Sequence, residues 1–265
     1  MITLKMSNCS LMPQRLGHLT ALERLDLWRR EWEYSLSLEK LPADIVKLTS
    51  LKEVNIPYCS GLVALPKDFG MLSSLQRFDI VKLTSIEEVN ISYCSGLVAL
   101  PKYFGLLSSL PRFNSSQCSN LEKLPANFGM LTDLRELDIS FYNNLMELPE
   151  GMGGLSSLLK MNLRKCNGVK KLHANFGKMT TLQQLDISCC ENLRELTQDI
   201  AGLSCLQRLN LSGCINLEKS GNLGMLTSLQ VLDISKCENF RELPEDPGGL
   251  SSLQTLDFKR SIKLQ

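Results

Sequence analysis

The phrase Leu-x-x-Leu-Asp-Ile-Ser-x-Cys-x-Asn-Leu-x-x-Leu-Pro returns along this chain at a nearly constant interval. Marked by the first Leu of each Leu-x-x-Leu-x-Leu, the series runs Leu110, Leu134, Leu158, Leu182, Leu206, Leu229 and Leu253, in steps of 24, 24, 24, 24, 23 and 24 residues. Apolar positions that recur at one short period must occupy equivalent places in space, so each unit adds one coil to a stack. A length of 265 residues would permit one or two globular domains. A period carried from end to end predicts instead a single elongated domain spanning 1–265.

Within the unit from Leu134 to Ser157, Leu134, Leu137 and Ile139 alternate with Glu136 and Asp138, the pattern of a short strand with one buried face. After the turn at Phe141-Tyr142-Asn143-Asn144, Leu145 and Leu148 point inward and Pro149 ends the extended segment. Gly151 to Leu155 then return the chain along the outside, an arm too short for a long helix and suited to 3₁₀ turns. The expected class is α/β: a curved leucine-rich-repeat solenoid with a parallel inner sheet, short helical, 3₁₀ or irregular outer arms, and about ten repeats of ~24 residues. Neither end shows an obvious polar cap, since Met1 already lies in strand phase and Leu253 to Phe258 form another strand phrase.

Two irregularities interrupt the series. Residues 44–78 and 79–113 are near copies that differ at 6 of 35 positions. That length is no multiple of the period, so the phrase at Leu75 falls only 11 residues before the phrase at Ile86, and no full coil fits between them. A phase break is expected near 79–85, centred on Val81 to Ser85, as a displaced strand, a compressed coil or two offset stacks. The step from Leu22 to Leu51 is 29 residues, which predicts an enlarged turn over 28–40 that contains both tryptophans, Trp28 and Trp32.

Composition narrows the class of partner. Lys and Arg number 29 against 28 for Asp and Glu, so no long-range field draws the chain to nucleic acid or to an acidic membrane. The first residues lack a basic segment followed by an apolar run, and nowhere do 18 apolar residues stand together, so the chain reads as cytoplasmic. Eight of the ten cysteines, Cys9, Cys59, Cys94, Cys118, Cys166, Cys190, Cys214 and Cys237, share one repeat position. Stacked coils lie ~4.8 Å apart, within disulfide reach. A small thiol repeated at one inward position is read instead as a weak donor to turn carbonyls in a reducing compartment. Four Asn-x-Ser sequons, at Asn8, Asn90, Asn114 and Asn210, carry meaning only in a secreted protein.

No catalytic constellation stands out. His18 and His173 occupy unrelated phases, and Cys189-Cys190 lacks a second pair at zinc spacing. The Phe-Gly pairs at Phe69, Phe104, Phe128 and Phe176 are turn formers and no phosphate loop. The reading is a non-enzyme with no cofactor and no metal. The strand position between the second and third Leu is almost uniformly Asn or Asp, from Asp26 to Asp257, and is read as a structural ladder on the concave face. Three places further on, past the Ser of Ile-Ser, the residues vary: Arg29, Tyr58, Tyr93, Gln117, Phe141, Lys165, Cys189, Gly213, Lys236 and Arg260. Aromatic and Arg side chains dominate interface energy, so the partner-binding candidates are Trp28, Arg29, Trp32, Tyr34, Tyr58, Tyr93 and Phe141. The basic run that includes Arg164, Lys165, Lys170 and Lys171 is a second candidate, with a solvated charged edge as its plain alternative.

The phrases at Leu185 to Leu193 (Leu-Asp-Ile-Ser-Cys-Cys-Glu-Asn-Leu) and at Leu124 to Leu131 (Leu-Pro-Ala-Asn-Phe-Gly-Met-Leu) resemble plant intracellular leucine-rich-repeat proteins, above all the repeat region of nucleotide-binding immune receptors. That resemblance implies a module that senses an effector or a host signalling protein and restrains a nucleotide switch. The chain itself contains no Gly-x-x-x-x-Gly-Lys-Ser/Thr, so a nucleotide-binding domain would lie upstream of it. Two other readings stand beside this one: a free-standing scaffold similar to the intracellular Ras-group repeat proteins, and an inert product of recombination.

Overall fold

The computed structural model describes residues 1–7, 9–28, 37–73, 86–172, 174–241, 249–261 and 263. Among them eleven strands form one sheet in which every neighbour is parallel and spatial order equals chain order. They are β1 (Thr3–Ser7), β2 (Arg24–Trp28), β3 (Glu53–Asn55), β4 (Glu88–Asn90), β5 (Arg112–Asn114), β6 (Glu136–Asp138), β7 (Lys160–Asn162), β8 (Gln184–Asp186), β9 (Arg208–Asn210), β10 (Val231–Asp233) and β11 (Thr255–Asp257). Most are three residues long because each coil has only one apolar position between two polar ones to place at the sheet, as in Glu136-Leu137-Asp138, where Leu137 is buried and its neighbours are not. The returning arms are 3₁₀ turns, such as Glu150–Gly154 following Pro149, as the short arm length predicts.

The irregular steps do not interrupt the sheet. Arg24 of β2 pairs with Glu53 of β3, and Glu53 pairs with Glu88 of β4, 35 positions on. Ile86 therefore opens the coil that follows β3, and the sheet leaves no place between β3 and β4 for a further strand. Strand register continues without offset on both sides, from Val54 to Val89 to Phe113. The expected defect at 79–85 lies outside the described residues, as does most of the expected enlarged turn, 29–36. Trp28 closes β2 opposite Ser7 and so belongs to the sheet.

Stacking buries a continuous core, with Leu134, Ile139, Leu145, Leu158 and Leu163 all at 0% exposure. On the outer arms the Phe-Gly pairs do two jobs. Phe69, Phe104 and Phe128 stack with nearly parallel rings, centroids 6.3 and 6.2 Å apart, and Phe113 reaches across from β5 to within 4.8 Å of Phe104. The glycine lets the next arm approach: a β-carbon on Gly129 would fall on the carbonyl oxygen of Gly151.

The cysteine column links coil to coil. Thiols of Cys94, Cys118, Cys166, Cys190, Cys214 and Cys237 donate to carbonyls of the preceding coil, Ile56, Ile91, Ile139, Leu163, Ile187 and Leu211, at 3.1 to 3.4 Å. Tyr142 takes the cysteine place in its own coil, where its buried hydroxyl donates to Ser115 Oγ. All ten cysteines are free thiols, and burial pushes those of Cys166 and Cys237 up to about 12, with Cys190 and Cys214 higher still. Cys205 alone is exposed.

Two expectations follow. Replacing Phe128 by Ala removes a ring that packs on Phe104 and Phe113 and lowers unfolding free energy by about 3–5 kcal/mol, read from chemical denaturation. Native-state alkylation followed by mass spectrometry labels Cys205 quickly, whereas the six thiols bonded to a preceding coil label only as fast as the stack opens.

Candidate protein-binding surface

The concave face of the sheet carries two columns of side chains, because strand residues on either side of each buried one point the same way. The inner column is the Asn/Asp ladder. Asn55 donates to Asp26 at 2.7 Å, Asn90 to Asn55 at 2.9 Å, Asn162 to Asp138 at 3.1 Å and Asn210 to Asp186 at 3.2 Å. A second bond ties the rungs from Asn90 to Asp257 to their own turns, where the side-chain oxygen accepts the backbone N–H two residues on, as in Asp138 to Ser140 and Asn210 to Ser212. Asn supplies a donor and Asp only acceptors, so alternation from Asp138 to Asn210 lets each amide meet a carboxylate. This bears out the structural reading of the stripe. It also engages the amides of the sequon residues Asn90 and Asn210 in the ladder.

The outer column is Arg24, Glu53, Glu88, Arg112, Glu136, Lys160, Gln184, Arg208, Val231 and Thr255, one per strand from β2 to β11. Its first six members pair off across adjacent strands: Arg24 with Glu53 at 2.7 Å, Arg112 with Glu88 at 3.1 Å and Lys160 with Glu136 at 2.9 Å. Arg208, flanked by Gln184 and Val231, makes no ion pair among the described residues. The outer column from β4 to β10 and the ladder from β5 to β10 line an open groove of about 600 Å³. The sequence reading passed over the outer column, although its signal is visible there: an opposite-charge alternation one residue before each second Leu.

The variable positions form a row along the edge where strands turn outward. Tyr58, Tyr93, Gln117, Phe141, Lys165, Cys189, Lys236 and Arg260 all have φ between 56° and 64°, and Gly213 has 73°. The left-handed region is sterically costly to any residue with a β-carbon. In these coils the conformation goes with turning the N–H toward the next coil, as Phe141 N–H does in donating to Arg164 O at 2.7 Å. Variation here therefore accompanies a backbone demand that glycine meets best and β-branched residues worst, and that specifies no further side-chain chemistry. The side chains project outward and reach one another. Tyr58 and Tyr93 stack at 4.4 Å with 18° between planes, Tyr93 being 43% exposed, and Lys165 Nζ stands 5.2 Å from the Phe141 ring.

Of the sequence candidates, the structure thus aligns Tyr58, Tyr93, Phe141 and Lys165 on one rim, with exposed Arg164 beside Lys165. Arg29, Trp32 and Tyr34 lie outside the described residues. Lys170 and Lys171 fall elsewhere, around a mixed-charge hollow shared with Glu147, Arg194, Glu195, Glu218 and Lys219, where Lys171 and Glu195 pair as a β-bridge and Lys219 lies 3.8 Å from Glu195. That is the solvated charged edge. Among the described residues no group of three or more His, Cys, Asp or Glu is placed to hold a metal ion, and no helix is long and apolar enough to cross a membrane.

No family model matches the sequence, and no curated protein is significantly similar to it. Solved structures are similar in shape. The leucine-rich repeat domain of the type III effector XopL superposes with a TM-score of 0.70 at 24% identity, over 85% of this chain and 73% of that one. The fold is a leucine-rich-repeat solenoid. An internalin (inlF) from Listeria monocytogenes aligns over 97% of this chain and 80% of its own, at 16% identity and a TM-score of 0.45. The plant peptide hormone receptor RGFR1, solved in complex with RGF2, aligns over 97% of this chain and 55% of its own, at 18% identity and a TM-score of 0.44.

Substitution separates the backbone demand from the side-chain one. Lys165→Gly raises stability or leaves it unchanged, whereas Lys165→Val lowers it by about 1–2 kcal/mol, measured by denaturant unfolding. Asn162→Asp sets three carboxylates in a row on β6 to β8 and costs about 1 kcal/mol at pH 7. Like charge holds those protons more tightly in the folded state than in the unfolded one. The loss is therefore full at neutral pH and fades as pH falls through the carboxylate range, which paired melts at pH 7 and pH 4 detect.

Proposed function

We propose that this solenoid is a protein-recognition module that binds its partner in the concave groove over β4 to β10 and along the rim of Tyr58, Tyr93, Phe141 and Lys165. The observation that carries the reading is the outer column: its first six charges neutralise one another, and Arg208 is left unpaired on a rigid sheet beside neutral Gln184 and Val231. A partner that presents a carboxylate to Arg208 gains a charge-assisted bond without breaking an existing pair. The aromatic rim adds large, low-entropy contact area next to it.

The finer assignment we propose is the sensing repeat region of an intracellular immune receptor, with an effector or host signalling protein as partner and a nucleotide-binding domain in the same polypeptide. It rests on the sequence resemblance and on a binding face that spans many coils. The scaffold reading uses the same face and differs in lacking that domain.

Crosslinking in source cells, followed by mass spectrometry, tests the surface. Wild type is compared with Arg208→Glu and with a Tyr93→Ala, Phe141→Ala, Lys165→Glu variant, all at exposed or half-exposed positions. Arg208→Glu is expected to weaken capture of the specific partners by tenfold or more, roughly the effect of reversing a desolvated interface charge, while Lys171→Glu leaves it unchanged. Identical partner sets for wild type and both surface variants would sink the assignment of this face.

A further inference from the structure

Most polar side chains that line the concave groove are already engaged with one another. Arg112 pairs with Glu88 and Lys160 with Glu136, while the ladder joins Asn162 to Asp138 and Asn210 to Asp186. Four polar side chains of the groove, Asn114, Gln184, Arg208 and Asp233, make no cross-strand bond among the described residues. The oxygen of Asn114 accepts Ser116 N–H at 2.9 Å, which leaves its amide as an unused donor. Asp233 accepts Ser235 N–H at 2.9 Å and receives no amide from a neighbouring rung, so its second oxygen is an unused acceptor.

These groups are unevenly placed. Gln184, Arg208 and Asp233 lie together on β8, β9 and β10, with apolar Val231 beside Arg208. Asn114 stands apart on β5. Four strand steps of ~4.8 Å separate β5 from β9, so the Asn114 amide and Arg208 are roughly 20 Å apart. A small molecule does not bridge that distance. An extended peptide at ~3.3 Å per residue covers it in about six residues. The groove has a volume of about 600 Å³ drawn out over seven strands, the capacity of a site for one short ligand segment.

Electrostatics select the charged group. A guanidinium accepts either a carboxylate or a phosphate as partner. The formal charges on the strands flanking Arg208 are the ladder carboxylates Asp186 and Asp233, and its column neighbours Gln184 and Val231 are neutral. A phosphate, with about −1.5 to −2 charge at neutral pH, would face two carboxylates beside a single guanidinium. A carboxylate keeps the attraction with about half that repulsion. The spare oxygen of Asp233 suits a main-chain N–H next to it.

We propose that the groove binds an extended peptide segment along the solenoid axis. An Asp or Glu carboxylate sits on Arg208, an adjoining main-chain N–H meets Asp233, and a carbonyl about six residues away accepts from the Asn114 amide. This rests on the reading of the concave face as the binding surface, and it names the chemistry that the face selects.

Random 12-residue peptides displayed on phage and selected on the full chain are the probe. Enriched sequences are expected to share an Asp or Glu. Replacing that residue by its amide, or by phosphoserine, should weaken binding about tenfold or more in fluorescence anisotropy, the worth of a hydrogen bond to a charged group. Arg208→Gln, which adds no charge, should abolish the preference for acid over amide, and selection on Arg208→Glu should enrich Lys or Arg instead. Asn114→Asp keeps the oxygen that accepts Ser116 N–H and removes the donor, so it should weaken the selected peptides several-fold. Selected peptides with no common acid overturn the proposal. So does an acid preference that survives Arg208→Gln, tighter binding of the phosphoserine form, or unchanged affinity in Asn114→Asp. If no peptide is enriched while crosslinked partners in cells still respond to Arg208→Glu, the proposal falls and the face stands as a surface for folded partners. If those partners do not respond either, the reading of the face falls with it.

Discussion

Burial between successive coils is the interaction on which the rest of this structure depends. A coil of about 24 residues has one thin apolar layer and cannot cover it alone, because ordering its backbone costs more than its own side chains return. Every recurring residue is placed to make the next coil fit. Leucines fill the layer, the Phe-Gly pair stacks a ring while letting the neighbouring arm approach, and six thiols of the cysteine column each tie a turn to a carbonyl of the coil behind it. The thiol suits that place because it is small, apolar enough to lie in the core and still a weak donor. Tyr142 meets the same need with a longer reach, finding Ser115 Oγ in place of a backbone carbonyl.

The same demand explains the concave face. Parallel strands bring identical positions into columns, so any residue type used at one position faces itself repeatedly. An uninterrupted column of Asp would repel itself, and alternation with Asn places an amide-to-carboxylate hydrogen bond at Asn162–Asp138 and again at Asn210–Asp186. The outer column meets the same problem by pairing opposite charges across neighbouring strands. Past Lys160 the pairing stops, and Arg208 makes no ion pair among the described residues. Binding capacity on such a sheet is what remains once repetition has been satisfied.

The turn row shows a shared backbone constraint beneath positions whose side chains vary. Its positions differ from coil to coil because the constraint acts on φ and not on the side chain. A sequence shows only the residue, and Tyr58, Lys165 and Cys189 share no chemistry that would reveal a common left-handed backbone. The projection of those side chains from one edge does gather Tyr58 with Tyr93 and Phe141 with Lys165. Contact across sequence separations of 35 and 24 follows from the stack and from nothing local.

Repetition made the architecture legible in the sequence. The period set the coil, alternation around Leu137 set the strand, the short arm set the 3₁₀ turns, and the common position of eight cysteines marked them as structural thiols, since in a stack a residue's place in the repeat is its place in space. Tertiary structure decided what depends on neighbours. It paired β3 directly with β4 across the 35-residue step, left Arg208 without an ion pair among the described residues while Arg24, Arg112 and Lys160 found carboxylates in their column, and assigned Lys171 to a hollow away from Lys165. Those outcomes rest on which coil lies beside which, and on the few ångströms between their side chains.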